Sequence, residues 1–82
     1  MSTSYVLISC ELGCESAIMD EIRTIRGVED VCGIYGCSYD IIIKVTDDSQ
    51  YRLENIIRNI RRITKVKLTQ TMIAIEGKRI IR

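Results

Sequence analysis

The sequence of this 82-residue chain contains no histidine, no phenylalanine and no tryptophan. Histidine is the residue used most often as a general base near neutral pH, so its absence argues against an enzyme. RNA-binding modules of small α+β domains stack bases on aromatic residues of their central strands, and here only tyrosine is available for that. We therefore expect a protein that binds or assembles and does not catalyse.

Long hydrophobic runs are also absent, and no segment is long enough to span a membrane. The N-terminus lacks the basic start of a signal peptide, and its apolar run is too short for one. The four cysteines, Cys10, Cys14, Cys32 and Cys37, miss the two-residue spacing of common zinc motifs and have no histidine to complete a ligand set. We predict reduced cysteines, a cytoplasmic location, no membrane association, no metal and no cofactor.

The length of the chain indicates one domain over residues 1–82, with a core of about residues 4–76 and a tail at 77–82. A domain of this size buries too little surface to be stable without further support. Hydrophobic residues make up 46% of the chain, more than such a small domain needs inside. Oligomerisation is the support that we expect.

Charge is distributed unevenly along the chain. Residues 1–50 hold nine acidic and three basic residues, whereas residues 51–82 hold two acidic and nine basic residues. The two halves can attract each other within or between subunits. The alternative is a nucleic-acid surface formed by Arg58, Arg61, Arg62, Lys65 and Lys67. We favour the first interpretation and expect no direct sequence-specific DNA binding.

Hydrophobic periodicity predicts six elements of secondary structure. Alternating residues indicate strands at 5–12, 28–35, 39–46 and 65–76, and helical spacing indicates helices over 14–26 and from 50 to about 63. Asp47 and Gln50 have the spacing of a capping box at the second helix. In the first strand, Val6, Ile8, Cys10 and Leu12 form the expected core-facing set.

The order strand, helix, strand, strand, helix, strand predicts an α+β, ferredoxin-like βαββαβ fold. In this fold a four-stranded antiparallel sheet carries both helices on one face. The other face stays uncovered, and its side chains are too apolar for water. We expect the domain to dimerise through this open sheet face.

Three segments resemble the RAM domain, the effector-binding domain of the Lrp/AsnC (feast/famine) transcription regulators. They are YVLISCELGCE near the start, GVEDVCGIYGCSYDIIIKV in the middle and KVKLTQTMIAI near the end. The resemblance covers about residues 4–76. The helix-turn-helix DNA-binding domain usual in the family has no counterpart, which suggests a stand-alone RAM domain.

The resemblance implies homodimers that pack sheet against sheet, higher oligomers of these dimers, and free amino acids bound between dimers. It also implies that the protein regulates transcription by sensing amino acids or by co-assembling with full-length Lrp/AsnC regulators. By position, the effector loop of the family falls on Gly36, Cys37, Ser38, Tyr39 and Asp40, and its final-strand hydroxyl residues fall on Thr69 and Thr71. Two residues separate Gly36 from Tyr39 here, where the family pattern has one.

The chemistry of these residue types suits a free amino acid. Backbone amides of the turn at Gly36–Ser38 can donate to a carboxylate, and Asp40 can accept from an ammonium group. Alternatively, Asp40 only bonds nearby amides and stabilises the turn, and Thr69 and Thr71 are ordinary strand residues. Two other functions stay open: an ACT-like regulatory subunit of an enzyme, and an oligomeric structural module without a ligand.

Overall fold

The computed structural model describes residues 2–47 and 49–75. It contains strand β1 (Ser2–Cys10), helix α1 (Glu15–Arg23), strands β2 (Val28–Gly33) and β3 (Ile41–Asp47), helix α2 (Gln50–Arg61) and strand β4 (Val66–Ile73). The predicted order of elements is confirmed. The tail predicted at residues 77–82 lies outside the described residues.

The four strands form one sheet in the order β2-β3-β1-β4, and each pair of neighbours is antiparallel. Buried residues of both helices, such as Ile22 and Ile60, belong to one cluster with Val6, Ile8 and Ile43 of the two central strands. Both helices therefore cover the same face of the sheet. This is the ferredoxin-like α+β fold predicted above.

Alternation along the central strands divides the side chains between the two faces of the sheet. In β1, Val6 and Ile8 are fully buried under the helices, as are Ile41 and Ile43 in β3. Each such side chain contributes about 1.5–3 kcal/mol by leaving water. The core is thus built almost entirely from branched aliphatic residues, which fit a pleated strand well.

The opposite face of the sheet has no layer over it in the described chain. It includes the partly exposed Tyr5, Leu7 and Ile42, together with Leu68 and Met72, whose side chains are 63% and 43% exposed. The register places these residues side by side, because Tyr5 pairs with Met72 and Leu7 with Ile42. An apolar sheet face of this kind is typical of an association surface.

The prediction for the first strand was wrong at Leu12. Strand β1 ends at Cys10, and Leu12 lies in the following turn with 96% of its side chain exposed. The N–H of Cys14 donates to the Glu11 carbonyl at 3.1 Å and Gly13 has φ +85, so a turn follows β1 and leaves Leu12 outside the core.

The predicted capping box was also wrong. Strand β3 extends to Asp47, and Ser49 is the N-cap of α2, with its hydroxyl accepting from the Arg52 N–H at 3.4 Å. Helix α1 ends at Arg23, three residues earlier than predicted. Gly27 follows it with φ +99, and a Cβ there would lie 2.8 Å from Cδ1 of Ile56, so glycine is required by both backbone and space.

Candidate functional site

The predicted effector loop, residues 36–40, lies within the connection between β2 and β3. The last pairs of the sheet near this loop are Gly33 with Ile41 and Cys10 with Val66. The loop therefore shares one end of the sheet with the turn that follows β1 and the turn that precedes β4. These three connections form the surface that we call the loop end.

Two backbone features shape the loop. Gly36 has φ +106, and no atom lies within 4 Å of the position that a Cβ would take, so the left-handed backbone and not crowding favours glycine here. At the base, the Ile34 N–H donates to the Asp40 carbonyl at 2.8 Å. Between them, the Cys37 thiol donates to the Tyr39 carbonyl at 3.6 Å.

Asp40 connects the loop to the end of β1. Its N–H donates to the Ile8 carbonyl at 2.8 Å, and its Oδ2 accepts from the Cys10 N–H at 2.9 Å. The carboxylate thus replaces a backbone acceptor where the ladder between β1 and β3 ends. This geometry agrees with the turn-stabilising alternative for Asp40. The Cys10 thiol also interacts with this carboxylate, and no basic side chain among the described residues forms an ion pair with it.

The pKa of the Cys10 thiol indicates burial and negative charge at the end of β1. Burial first, and then the nearby carboxylates of Asp40 and Glu15, raise the pKa of Cys10 from 9.0 to about 11. Burial disfavours a charge of either sign, whereas the carboxylates of Asp40 and Glu15 disfavour an anion and attract a cation. The environment of Asp40 therefore suits an ammonium group better than a second anion.

Tyr39 reaches across the open face of the sheet. Its hydroxyl donates to Oε1 of Gln70 on β4 at 2.6 Å, although the two residues are 31 positions apart. Gln70 pairs with Leu7 of β1, so Tyr39 bridges over the central strand. Sequence reasoning missed Gln70, because nothing in the strand pattern indicates which side chain of β4 the loop contacts.

Thr69 and Thr71 lie elsewhere within the subunit. They pair with Ile8 and Val6 and share the helix-covered face with them, and the Thr69 hydroxyl accepts from Nε of Arg61 at 3.0 Å. Thr69 and Ile41 pair with Ile8 from opposite sides, which separates their Cα atoms by about 10 Å, two strand spacings. The structure brings Gly36 to Asp40 together with Gln70, and it does not bring the two threonines to them.

Sequence reasoning also missed two exposed apolar residues at the loop end. Leu12 is 96% exposed, and Tyr35, just before Gly36, is fully exposed. The alternating pattern had assigned both residues to strands, so their exposure was not foreseeable from it.

Across residues 2–47 and 49–75, no group of histidine, cysteine or acidic side chains is arranged to hold a metal ion. No helix in the same ranges has the length and apolar character to cross a membrane.

The structure is thus a ferredoxin-like sheet with the half-buried carboxylate of Asp40 at one end. The family model for the Lrp/AsnC ligand binding domain matches residues 3–79 of the chain. The chain belongs to this family of regulatory ligand-binding domains, and the resemblance to the RAM domain is confirmed.

Solved structures agree with the assignment. The chain is similar to FFRP-DM1, with 33% identity and a TM-score of 0.82 over 92% of this chain and 100% of that one. Escherichia coli AsnC shares the fold at 22% identity and a TM-score of 0.84, over 99% of this chain and 54% of that one. The transcriptional regulator NMB0573 from Neisseria meningitidis, solved with L-Met, shares the fold at 9% identity and a TM-score of 0.75, over 95% of this chain and 52% of that one. No curated protein sequence matches the chain.

Proposed function

We propose that this domain regulates transcription as an amino-acid sensor of the Lrp/AsnC type, acting in the cytoplasm. In this proposal a free amino acid binds at the loop end, between dimers, with its ammonium group on Asp40. The observation that carries the proposal is the carboxylate of Asp40, which the Cys10 N–H holds at the loop end and which has no cationic partner among the described residues. The L-Met complex of the Neisseria meningitidis regulator supports an amino acid as the ligand class.

Leu12 and Tyr35 support a site that is completed by a second dimer. Both are large apolar side chains that stay exposed at the loop end within one subunit. Burial of these side chains against another dimer would exclude water from Asp40 and strengthen its attraction for an ammonium group. Thr69 and Thr71 would enter such a site only from another subunit, because within the chain they lie on the helix-covered face.

The dimer itself would form through the open face of the sheet. Tyr5, Leu7 and Ile42 are only partly covered there, and Leu68 and Met72 are exposed beside them. Covering this face with a second copy would bury apolar area that a domain of 82 residues needs for stability. Leu7→Lys places a charge in the middle of this face and should reduce the dimer to monomer.

Binding between dimers links ligand to assembly. A ligand that binds only the assembled form stabilises it by about 2.7 kcal/mol per site at a hundredfold excess over its Kd. Light scattering coupled to size-exclusion chromatography, with each of the twenty amino acids in turn, measures this directly. We expect a mass above the dimer that shifts with a subset of them.

Asp40→Asn separates the charge of this residue from its structural bond, because the amide oxygen can still accept from Cys10. We expect this variant to keep the dimer and to lose the amino-acid response. Glu54→Gln removes the same charge at an exposed position of α2 and serves as the matched control. A response that survives Asp40→Asn would remove Asp40 from the site.

Co-assembly with full-length regulators is the second form of this proposal. The same domain fold makes up about half of E. coli AsnC, so a RAM domain can in principle join a regulator through the surface that regulators use among themselves. A molecular mass that changes with none of the twenty amino acids would favour this role, or the role of a structural module without a ligand. Mixing the protein with a full-length regulator and measuring hetero-oligomers distinguishes these two.

A further inference from the structure

A groove of about 840 Å³ runs between α2 and the end of α1, on the helical side of the domain and away from the open sheet face and from residues 36–40. Its apolar lining comes from Ile25, Ile56 and Ile63. One side is a polar stripe of α2 in which Arg52, Asn55, Asn59 and Arg62 recur at helical spacing. The volume is in the range of sites for small molecules.

Among the described residues that line it, the groove has three arginines and one carboxylate. Arg26 and Arg62 both line it, and neither has an ion-pair or hydrogen-bond partner for its guanidinium among the described residues. The nearby Arg23 differs, because its guanidinium is bound to Asp20 at 2.6 Å. Glu21 is the one carboxylate among the described residues that line the groove.

The polar groups beside these arginines are donors. Oδ1 of Asn55 accepts from Nη1 of Arg58 at 3.2 Å, which leaves the amide NH2 of Asn55 to donate. Guanidinium groups bind phosphate through paired hydrogen bonds, and an apolar floor can take the uncharged part of a ligand. We infer that the groove between α1 and α2 binds a small phosphate-bearing anion, with Arg26 and Arg62 as its phosphate contacts.

A small ligand fits this surface better than a nucleic-acid duplex. The apolar residues form the floor of a concavity, whereas a duplex requires a basic surface that follows its backbone over many phosphates. The binding is separate from amino-acid sensing, because none of the residues Gly36 to Asp40 lines the groove. Failure of one proposal therefore leaves the other unaffected.

Titration calorimetry with ATP and with inorganic tripolyphosphate at low salt tests the inference. We expect at least one of the two to bind with a Kd below about 1 mM, and Arg26→Gln or Arg62→Gln to weaken that binding about tenfold each. Lys67→Gln removes a cation outside the groove and should leave the affinity unchanged. Binding of neither probe, or equal losses in all three variants, would overturn the inference.

Glu21→Gln tests the inference through a gain of affinity, which a misfolded variant would not show. It removes the carboxylate from the groove, so it should tighten binding of the same probe several-fold. No gain would show that the probe does not sit in the groove. A short DNA duplex that binds more tightly than ATP, with the same dependence on Arg26 and Arg62, would replace the small ligand by nucleic acid.

Discussion

The hydroxyl of Tyr39 donates a hydrogen bond of 2.6 Å to Oε1 of Gln70, and this bond joins the loop of the candidate effector site to the open face of the sheet. The two surfaces assigned to ligand and to dimerisation thus share a pair of side chains. A change in the loop would reach β4 through this contact without passing through the core.

A double-mutant cycle measures what the contact contributes. Tyr39→Phe and Gln70→Met each remove one partner and keep most of the apolar volume, and we expect a coupling free energy of about 0.5–1.5 kcal/mol in urea unfolding. Tyr35→Phe, on a fully exposed ring, is the control and should change nothing. Additive single effects would show that the bond contributes nothing to stability.

Asp40 has a structural role that its substitutions can separate from ligand binding. Asp40→Ala leaves the partly buried Cys10 N–H without its acceptor and should lower the free energy of unfolding by about 1–3 kcal/mol. Asp40→Asn retains an acceptor and should cost less. Urea midpoints at one protein concentration test this order, and equal losses in the two variants would contradict it.

The raised pKa of Cys10 makes stability fall at alkaline pH. In the unfolded chain the thiol ionises near its ordinary value of 9.0, whereas in the fold its pKa is about 11. The stabilisation is therefore complete below about pH 9 and is lost as the pH rises to 11, by about 3 kcal/mol in total. Unfolding curves of the native chain and of Cys10→Ala between these pH values should differ in slope accordingly.

Alkylation gives an independent check on the same thiol. At pH 8 iodoacetamide should modify the exposed Cys37 first and the buried Cys10 last, as located by mass spectrometry of peptides. Modification of Cys10 at the rate of Cys37 would show that the end of β1 opens readily.

Lys65 is held in a left-handed backbone conformation with φ +82, between α2 and β4. Lys65→Gly removes that strain and should raise the free energy of unfolding by about 0.5 kcal/mol, while Lys65→Val should lower it by more than about 1 kcal/mol. The ion pair of Lys65 with Glu11, at 3.3 Å and half exposed, contributes little. Glu11→Gln measures that contribution separately, and a valine variant as stable as the glycine variant would argue against strain.

The basic face of α2 leads to a negative prediction. We expect no tight binding of duplex DNA at physiological salt, because Arg58 and Arg61 already donate to Asn55 and Thr69 and the net charge of the chain is only +1. Fluorescence anisotropy of a labelled duplex at several salt concentrations tests this. Salt-sensitive binding with a Kd below about 1 μM would show that the basic second half of the chain binds nucleic acid.

The order of elements was predictable from the sequence because each signal is local. Val6, Ile8 and Cys10 recur at strand spacing, Ile18 and Ile22 recur at helical spacing, and Gly27 marks the turn before β2 through its own backbone preference. The boundaries were less predictable. Leu12 fits the alternation of the first strand, yet the turn closed by the Cys14 N–H and the Glu11 carbonyl takes it out of the sheet.

The candidate site was predictable in part for the same reason. The sequence alone indicates a turn at Gly36 and an acidic side chain at Asp40. The face on which Thr69 and Thr71 lie, however, depends on the register of β4 against β1. That register shifts between Ser9 and Cys10. The alternation of β4 side chains between the two faces of the sheet is therefore interrupted at Lys67. One extra residue in a strand reverses which side chains share a face.

The sequence by itself determined the fold class and the family, since both depend on patterns within short segments and on their order. Only the tertiary structure decided that Asp40 bonds Cys10, that Tyr39 meets Gln70, and that the threonines lie under the helices. Each of these contacts joins residues about thirty or more positions apart, or depends on a strand register that no local pattern specifies.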